Sequence, residues 1–399
     1  MKVSAIIAEY NPFHNGHKYH IEQTKRLTDD SFVMVIMSGN FVQRGEPAII
    51  EKRERAKMAL AAGADLVVEL PVPWATASAE RFARGAVYIA AQAGIVDYLS
   101  FGCEEEDIAV LEQIARILND KVYSREIKDY YDAKTCSYAE ARSAVVNKVL
   151  GKDCTELMLK PNNILAIEYI RALQSFKSPI KPIGVTRQAV SHDSAAAQSG
   201  FTSAMNIRNL IKTGREYKSF VPATTYDILR SAETYNRFPS LYSRLETAVL
   251  ADLRRKSPAD FTDVPDIAEG IENRILEAAK SSINLNDVFD KVKTKRYAHS
   301  RIRRIILSSF LNITQSDVSS LPPYIRVLGL NDNGRQILKE MKSKYFFPII
   351  MKYSDVKYLD YNAKNIFMKE SVATDIYNLS LPVVRPCGTD MTDEIIYIP

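Results

Sequence analysis

The chain has 399 residues, of which 46% are hydrophobic and 25% charged, and its formal net charge is +5. This length suits two or three domains, and the composition is ordinary for a folded, soluble protein. No apolar run reaches the roughly 18–20 residues that span a bilayer, and the apolar N-terminal stretch is too short for a signal peptide, so we expect a cytoplasmic protein that does not bind membranes.

The first third of the chain alternates short apolar runs with helical patterns. The predicted strands are Val3–Glu9, Phe32–Met37, Leu66–Leu70 and Tyr98–Phe101. The predicted helices between them are Lys18–Leu27, Lys52–Ala62 and Ala79–Ala93. Continuous apolar strands that alternate with helices are typical of a parallel sheet covered on both faces, so we predict an α/β, Rossmann-like domain.

The same domain is predicted to continue to about residue 220. Its later elements are helices at Tyr138–Leu150 and Asn163–Gln174, a strand at Lys181–Val190, and a helix that begins after Ser203. Serine is a favoured N-cap because its hydroxyl accepts a bond from an unpaired N–H of the first turn. We therefore assign residues 1–220 to one α/β domain.

Two further regions are predicted after residue 220. Residues 221–320 have apolar side chains at three- and four-residue spacing and are predicted to be helical. Residues 321–399 are predicted to form a small α/β region, with strands at Tyr324–Gly329 and Phe347–Met351 and a helix at Asn333–Met341.

The segment AEYNPFHNGHKYH, from Ala8 to His20, follows the first predicted strand and opens a helix. Ligands of open parallel sheets bind at the carboxyl ends of the strands, where a helix N-terminus offers N–H groups to phosphate. Gly16 allows close backbone approach, and His14 and His17 lie on one turn, where both can donate to phosphate oxygens. The alternatives are a metal site or two solvated histidines, but the whole NPFHNGH string is far more specific than HxxH.

This segment resembles the HxGH motif of class I aminoacyl-tRNA synthetases and small nucleotidyltransferases. That superfamily carries a second phosphate-clamping element, and the string SAMNIR, from Ser203 to Arg208, is similar to one of its forms. The resemblance implies that Arg208 reaches the phosphates; the alternative is a capped helix with an exposed arginine. The string MKSK, at residues 341–344, resembles the other form only superficially and is interpreted as a solvated helix end.

A longer set of strings is similar to the bacterial tRNA(Met) cytidine acetate ligases, over nearly the whole chain. These strings are AEYNPFHNGH from Ala8, MSGNFVQRGEPA from Met37, ELP from Glu69, SFG from Ser100, KPNNIL from Lys160, TKRY from Thr294 and RIRR from Arg301. The resemblance implies a Rossmann-like HxGH nucleotidyltransferase domain with a parallel sheet, followed by a helical and mixed C-terminal region. It also implies an enzyme that activates acetate with ATP as acetyl-adenylate and transfers acetyl to N4 of the wobble cytidine of elongator tRNA(Met), releasing AMP and pyrophosphate.

The resemblance also implies an ATP site. Its residues are Ile7, Ala8, Glu9, Tyr10, Asn11, Pro12, Phe13, His14, Asn15, Gly16, His17, Lys18, Tyr19, His20, Gly102, Asn162, Arg187, Ser203 and Arg208. Gly102 follows a strand and leaves room for adenine or ribose. Asn162 either bonds the ribose or caps a helix, and Arg187 pairs either with phosphate and the acyl carboxylate or in a surface salt bridge.

The loop from Asn40 to Pro47 follows the second strand and carries Arg44, which we predict to hold acetate or phosphate and, with His14 and His17, to be catalytic. The cations that follow it, Lys52, Arg53 and Arg55, extend a basic strip or form a solvated helix start. The pair His192-Asp193 follows the strand that carries Arg187 and either assists catalysis or belongs to a polar loop, and the polar loop is the preferred interpretation.

A basic segment lies between residues 291 and 304, with a tyrosine and a histidine among its cations. Cations neutralise phosphates and an aromatic ring can stack on an unpaired base, so the segment predicts tRNA binding, the alternative being a solvated face. The predicted tRNA-binding residues are Lys293, Lys295, Arg296, Tyr297, Arg301, Arg303 and Arg304.

ATP is expected as a substrate, together with Mg²⁺, although no carboxylate ligand can be assigned from the sequence. The four cysteines are not paired at CxxC spacing, so no metal-ligand set and no disulfide framework is predicted. Two other functions fit parts of the pattern. A small-molecule adenylyltransferase explains the HxGH turn but leaves the basic helical region without a role, and a non-catalytic RNA-binding protein leaves the intact histidines without one.

Overall fold

The computed structural model describes residues 1–105, 107–133, 136–186, 200–268, 270–294, 297–344 and 347–399. Its strands are β1 (Val3–Ala8), β2 (Phe32–Ser38), β3 (Phe41–Val42), β4 (Glu46–Pro47), β5 (Leu66–Leu70), β6 (Tyr98–Cys103), β7 (Lys181–Thr186), β8 (Ile325–Leu330), β9 (Ile349–Ile350) and β10 (Ile396–Tyr397).

The helices of the first domain alternate with these strands. They are α1 (Asn15–Leu27), α2 (Lys52–Ala61), α3 (Val72–Ala75), α4 (Ala79–Gln92), α5 (Ile108–Asn119), α6 (Lys121–Ala133), α7 (Tyr138–Leu150), α8 (Thr155–Leu159), α9 (Pro161–Ser175) and α10 (Ala204–Lys212). The later helices are α11 (Ala223–Thr234), α12 (Glu246–Arg255), α13 (Ile271–Ser281), α14 (Leu285–Val292), α15 (His299–Phe310), α16 (Gln315–Ser319), α17 (Asp332–Lys344), α18 (Tyr361–Asn378) and α19 (Thr389–Thr392).

The centre of the fold is a parallel sheet in the order β5-β2-β1-β6-β7. The chain reverses its direction of winding between β1 and β6, and the crevice at the carboxyl ends of two such strands is where doubly wound sheets bind ligands. This sheet confirms the predicted α/β, Rossmann-like fold class. Of the predicted strand at Lys181–Val190, the structure describes Lys181–Thr186, and residues 187–190 lie outside the described ranges.

Both faces of the sheet are covered, which explains why the central strands are apolar without alternation. In β2, Met34 and Ile36 join a core with α4, α5 and α9, whereas Val33 and Val35 join a second core with α1, α2 and α11. Successive side chains of a strand point to opposite faces, so each strand needs apolar residues at every position to fill both cores.

The strands of residues 321–399 are part of this same sheet. β8 lies antiparallel against β5, and β9 and β10 pair with β8. The strands of the predicted small α/β region at residues 321–399 thus lie at the edge of the first domain's sheet. The boundary near residue 220 stays a prediction.

Helices α12–α15 pack around a third core. Among the described residues, no helix is long and apolar enough to cross a membrane.

Candidate active site

A cavity of about 600 Å³ opens at the carboxyl ends of β1 and β6. The first turn of α1, the β3–β4 hairpin and the start of α15 close its sides. Its polar lining residues include Glu9, Asn11, His14, His17, His20, Gln43, Arg44, Asn162, Thr186, Thr202, Ser300 and Arg304. The apolar part is lined by Phe82, Phe101, Ile164, Leu165, Tyr169 and Val185. One cavity therefore offers both an apolar wall for a base and a cationic wall for phosphate.

His14 and His17 are held in one arrangement by the start of α1. His14 is the N-cap residue, and its Nδ1 accepts the backbone N–H of Gly16 at 3.0 Å. Nδ1 of His17 accepts the backbone N–H of His14 at 3.2 Å, and the two rings stack with centroids 3.7 Å apart. Because each Nδ1 is an acceptor, the proton of each neutral ring is on Nε2, which makes Nε2 the donor toward a ligand.

The predicted ATP segment from Ile7 to His20 divides into residues that line the cavity and residues that do not. Those that line it are Ile7, Ala8, Glu9, Tyr10, Asn11, His14, Gly16, His17, Tyr19 and His20. The other four, Pro12, Phe13, Asn15 and Lys18, do not line it. Pro12 and Phe13 are buried, and Lys18 is exposed and pairs with Glu22. Asn15 donates to the carbonyl oxygens of Gly200 and Ser219, so it ties a later segment to the start of α1.

The predicted ATP-site residues outside this segment do not all line the described cavity as expected. Gly102 lines the cavity but lies inside β6 rather than after it. Asn162 also lines it, in the first turn of α9, and donates to Oε1 of Glu104 at 2.5 Å. The alternative that Asn162 caps this helix is wrong, since the N-cap is Lys160 without a side-chain bond. Arg187, like the pair His192-Asp193, lies outside the described residues, so its role stays a prediction.

Glu9 places a carboxylate in the cavity wall where β1 ends. Its Oε1 accepts the backbone N–H of Gln43 at 2.9 Å, and its own carbonyl oxygen accepts from Nη1 of Arg55 at 2.6 Å. Burial raises the pKa of the Glu9 carboxyl, although the Gln43 N–H and the cations of Arg44 and Arg208 oppose the rise. The residue is thus fixed at both its side chain and its backbone.

Arg208 is neither an exposed helix residue nor, in this conformation, part of the cavity lining. It is buried, donates to the carbonyl oxygen of Asn11 at 2.8 Å and pairs with Glu46 at 3.3 Å. Burial lowers the pKa of its guanidinium. Ser203 is the N-cap of α10, and its Oγ accepts the N–H of Asn206. Contact of either residue with phosphate stays a prediction; the described role of Arg208 is to hold the turn after β1 against the hairpin.

Arg44 lies on the β3–β4 hairpin, where it is exposed and lines the cavity, as a ligand-binding cation would. The hairpin rests on α15 through Gly45, which has a φ of 75°. A Cβ on Gly45 would meet the backbone carbon of Arg303 and the backbone nitrogen of Arg304, each at 2.8 Å. Only glycine allows this turn to sit so close to the basic helix.

The predicted basic strip at the start of α2 is wrong, and so is its alternative of a solvated helix start. Lys52, Arg53 and Arg55 are all buried. Arg55 donates to the carbonyl oxygens of Ile50, Glu9, Ser38 and Gly39, and its pKa falls to about 10 because it is desolvated. Arg55 thus holds the backbone on both sides of the hairpin, whereas Arg53 donates to the carbonyl oxygen of Glu394 and pairs with Asp393. None of the three cations lines the described part of the cavity wall.

A buried cluster of five charges joins Lys52 to the C-terminal strands and helices. Lys52 Nζ lies 2.7 Å from Glu69, 3.3 Å from Glu370 and 2.8 Å from Asp390. Arg326 on β8 bonds both Glu69 and Asp390. Burial and the neighbouring Glu69 raise the pKa of Glu370 to about 8, whereas Arg326 and Lys52 lower that of Asp390 despite its burial. With Glu370 protonated, two cations face two anions.

The basic segment is only partly available to a ligand. Arg304 lines the cavity and lies 3.8 Å from Asp266, and Arg301 donates to the carbonyl oxygen of the same aspartate. Lys293 is exposed, and Arg303 is half-buried with its guanidinium 5.0 Å from the Phe289 ring centroid.

The predicted stacking role of Tyr297 is not supported. Tyr297 is only 6% exposed, belongs to the helical core, and has the guanidinium of Arg301 5.4 Å from its ring centroid. A ring in this position has no face to offer a base. Lys295 and Arg296 lie outside the described residues, so their tRNA contacts stay predictions.

Sequence reasoning missed several lining residues. Thr202 and Phe201 precede α10, Ser300 lies in α15, and Phe82 and Tyr169 come from α4 and α9. No sequence signal marks most of these residues, because segments far apart in the chain bring them to the cavity. The exception is Ser300, which lies within the predicted basic segment and lines the cavity together with Arg304 of the same helix.

A Rossmann-like sheet whose first turn carries stacked histidines in an HxGH string defines the HxGH nucleotidyltransferase class. The family described as "HIGH Nucleotidyl Transferase" matches residues 1–389. The tRNA(Met) cytidine acetate ligase of Acetivibrio thermocellus is 38% identical over 99% of this chain and its own full length. That of Caldanaerobacter subterraneus subsp. tengcongensis is 41% identical over 95% of this chain and 96% of its own. The chain belongs to the HIGH nucleotidyltransferase family, among the tRNA(Met) cytidine acetate ligases.

A solved structure agrees with this assignment over the whole fold. Thermotoga maritima TmcAL bound with alpha-thio ATP has a TM-score of 0.93 to this chain, at 32% identity and with 100% of both chains covered. The apo form of the same protein has a TM-score of 0.94.

Proposed function

We propose that this chain is an ATP-dependent ligase that activates acetate as acetyl-adenylate and transfers the acetyl group to N4 of the wobble cytidine of elongator tRNA(Met). The single observation that carries the chemistry is the stacked pair of His14 and His17, whose residues line a cavity that Arg44 and Arg304 also line. Full-length similarity to proteins named tRNA(Met) cytidine acetate ligase supplies the substrates.

ATP occupies the cavity at the crevice between β1 and β6. The apolar wall around Phe101 and Tyr169 accepts the adenine, and the first turn of α1 accepts the phosphates through its N–H groups and imidazoles. The volume of about 600 Å³ suits a nucleotide together with a small acid. The solved relative bound with alpha-thio ATP supports this use of the site.

Acetate is activated by attack of its oxygen on the α-phosphate, and pyrophosphate leaves. Negative charge grows on the phosphate oxygens in this step, and Nε2 of His14, Nε2 of His17 and the guanidinium of Arg44 are placed to stabilise it. Arg44 is also the exposed lining cation that can pair with the acetate carboxylate. No covalent enzyme intermediate is needed, because positioning and charge stabilisation suffice.

The tRNA approaches along α15, which connects the basic segment to the cavity through Ser300 and Arg304. Lys293 and Arg303 lie on this approach and neutralise backbone phosphates. The reacting cytidine has to leave its stack in the anticodon loop for its N4 to enter a cavity of this size.

Mg²⁺ is expected to accompany ATP and to neutralise charge on its phosphates. The ion usually keeps phosphate oxygens and one or two carboxylates as ligands. Glu9 is the one acidic side chain among the described lining residues, and no three His, Cys, Asp or Glu side chains of the described chain converge as a metal site. The described residues therefore form no dedicated cage for the ion, and the reaction steps above do not depend on one.

The test is to incubate the protein with ATP, labelled acetate and bulk tRNA, digest the tRNA, and analyse its nucleosides by mass spectrometry. We expect acetylated cytidine only when ATP and acetate are both present and, when purified tRNAs replace bulk tRNA, only in elongator tRNA(Met). A small-molecule adenylyltransferase would instead adenylylate a metabolite and leave the tRNA unchanged. A non-catalytic RNA-binding protein would bind tRNA and release no pyrophosphate. Either result would refute the proposed ligase.

A further inference from the structure

The carboxylate of Glu9 takes no part in the activation step as proposed above, although it lines the same cavity as the histidines. One oxygen, Oε1, is used by the N–H of Gln43, while Oε2 has no hydrogen-bond partner among the described residues. The bond from Arg55 to the Glu9 carbonyl holds its backbone as well. Glu9 is therefore held at Oε1 and at its backbone carbonyl oxygen, while Oε2 is open. A carboxylate held in this way is suited to accept a proton from a ligand.

The transfer step releases a proton that such a group can accept. The N4 amine of cytidine is a poor nucleophile because its lone pair is delocalised into the ring, and it carries a positive charge once it bonds to a carbonyl carbon. The other charged lining groups, Arg44 and Arg304, are cations that would oppose this charge. Glu9 is the lining anion in the described part of the cavity that can relieve it.

Resting on the ligase function proposed above, we propose that Glu9 is the general base for the transfer step. The N4 nitrogen bonds to the acetyl carbon, the bond between that carbon and the adenylate oxygen breaks, and AMP leaves with the electron pair. One N4 proton passes to Oε2 of Glu9 and from there to solvent. The atoms balance without a further reactant.

The surroundings of Glu9 act on the pKa of its carboxyl in opposite directions. Burial raises the pKa of its carboxyl, and a carboxylate of higher pKa is a stronger base. The titratable and charged groups around it are His14 and His17 from α1, Arg44 and Glu46 from the hairpin, Arg55 from α2, Tyr169 from α9 and Arg208 from α10. The cations of Arg44 and Arg208 lower this pKa and favour the ionised form, which is the form that accepts a proton.

The variant Glu9→Gln tests this role because its amide oxygen can still accept the Gln43 N–H while the basic oxygen is lost. The acetyl-adenylate is formed first with ATP and labelled acetate, tRNA is then added, and acetylcytidine is followed through a single turnover across a pH series. We expect transfer to slow about 100-fold or more and to lose the inflection that Glu9 gives the wild type. Glu22→Gln, an exposed carboxylate on α1, is the matched control and should keep wild-type transfer.

Two measurements separate transfer from activation. Because Glu9 lines the predicted ATP site, exchange of pyrophosphate into ATP is measured beside transfer: in Glu9→Gln, transfer should fall at least about 10-fold further than acetate-dependent exchange, and hydroxylamine, which needs no base, should trap the acetyl-adenylate at a rate that follows exchange. Glu9→Asp, which keeps a carboxylate, should recover part of the transfer rate together with its pH dependence.

Three results overturn the inference. Transfer by Glu9→Gln within about 3-fold of wild type removes the need for this base. A parallel fall of exchange, trapping and transfer assigns Glu9 to nucleotide binding. Wild-type protein that exchanges pyrophosphate but never acetylates cytidine overturns the ligase function itself, an outcome recognisable because it needs no variant.

Discussion

The imidazole rings of His14 and His17 stack 3.7 Å apart, and the backbone N–H of His14 donates to Nδ1 of His17. Each ring is therefore positioned partly by the other residue. The same two histidines form the cap of α1 and the proposed phosphate site. The bonds that complete the helix N-terminus also fix the orientation of both rings.

The two histidines should behave as a coupled unit in acetate-dependent pyrophosphate exchange. We expect His14→Ala and His17→Ala each to lower exchange about 100- to 1,000-fold, as for the loss of one oxyanion-stabilising donor. The double variant should lose less than the product of the two, because removing either ring frees the other. Arg26→Ala, an exposed cation on α1, is the control. Full additivity would contradict the coupling.

Gly45→Ala should destabilise the contact between the hairpin and α15. The new Cβ meets backbone atoms of Arg303 and Arg304 at 2.8 Å, and the φ of 75° is unfavourable for alanine. We expect the free energy of unfolding to fall by about 2–4 kcal/mol in urea titrations. Gly151→Ala shares a positive φ, 65°, but meets nothing within 4 Å, so it should cost only about 1 kcal/mol. Equal losses would show that packing on α15 is unimportant.

Lys52→Met should be among the most damaging substitutions in the chain, although it touches no ligand. Removing this cation leaves Glu69, Glu370 and Asp390 facing Arg326 alone in a buried site. Breaking a buried pair typically costs about 3–5 kcal/mol. Denaturant titration is the measurement, and Lys57→Met, on the exposed face of the same helix, should change stability by less than about 0.5 kcal/mol.

Glu370 should make stability depend on pH. Its pKa is raised from 4.5 to about 8, so the folded protein holds a proton that the unfolded chain releases between these values. Its contribution is complete below pH 4.5 and is lost as the pH rises through 8. Glu370→Gln, which mimics the protonated acid, should therefore flatten the fall in unfolding free energy between pH 5 and pH 8. Glu340→Gln, a partly exposed carboxylate on α17, should retain the slope of the wild type.

Lys293→Ala and Arg303→Ala should weaken tRNA binding and leave pyrophosphate exchange unchanged. Each removes about one phosphate contact, so each should reduce the slope of log affinity against log salt by about 1. Lys280→Ala, an exposed cation on α13, should leave both the affinity and the salt slope as they are. A variant that lost exchange as well would show that these cations serve the nucleotide.

Local signals determined much of this protein. Continuous apolar strands predict a sheet covered on both faces, and the turn from Ala8 into α1 places a motif at a strand end, because both patterns depend on residues close together in the chain. His14, Gly16 and His17 were therefore assigned to the cavity from sequence alone. The start of α1 was placed three residues too late, since the histidine that caps it does not belong to the usual capping residues.

Only the tertiary structure decided where the charges lie. Lys52 resembles a solvated cation in sequence, but its partners Glu69, Glu370 and Asp390 are 17, 318 and 338 positions away. The partners of Arg208 are also distant in sequence. It holds the turn after β1 through Asn11 and Glu46, which lie 197 and 162 positions earlier. Whether a charge is solvated, paired or aimed at a ligand depends on which distant segments pack around it. The sequence alone therefore predicts the phosphate turn, while the fold determines which cations surround it and leaves Glu9 open to the substrate.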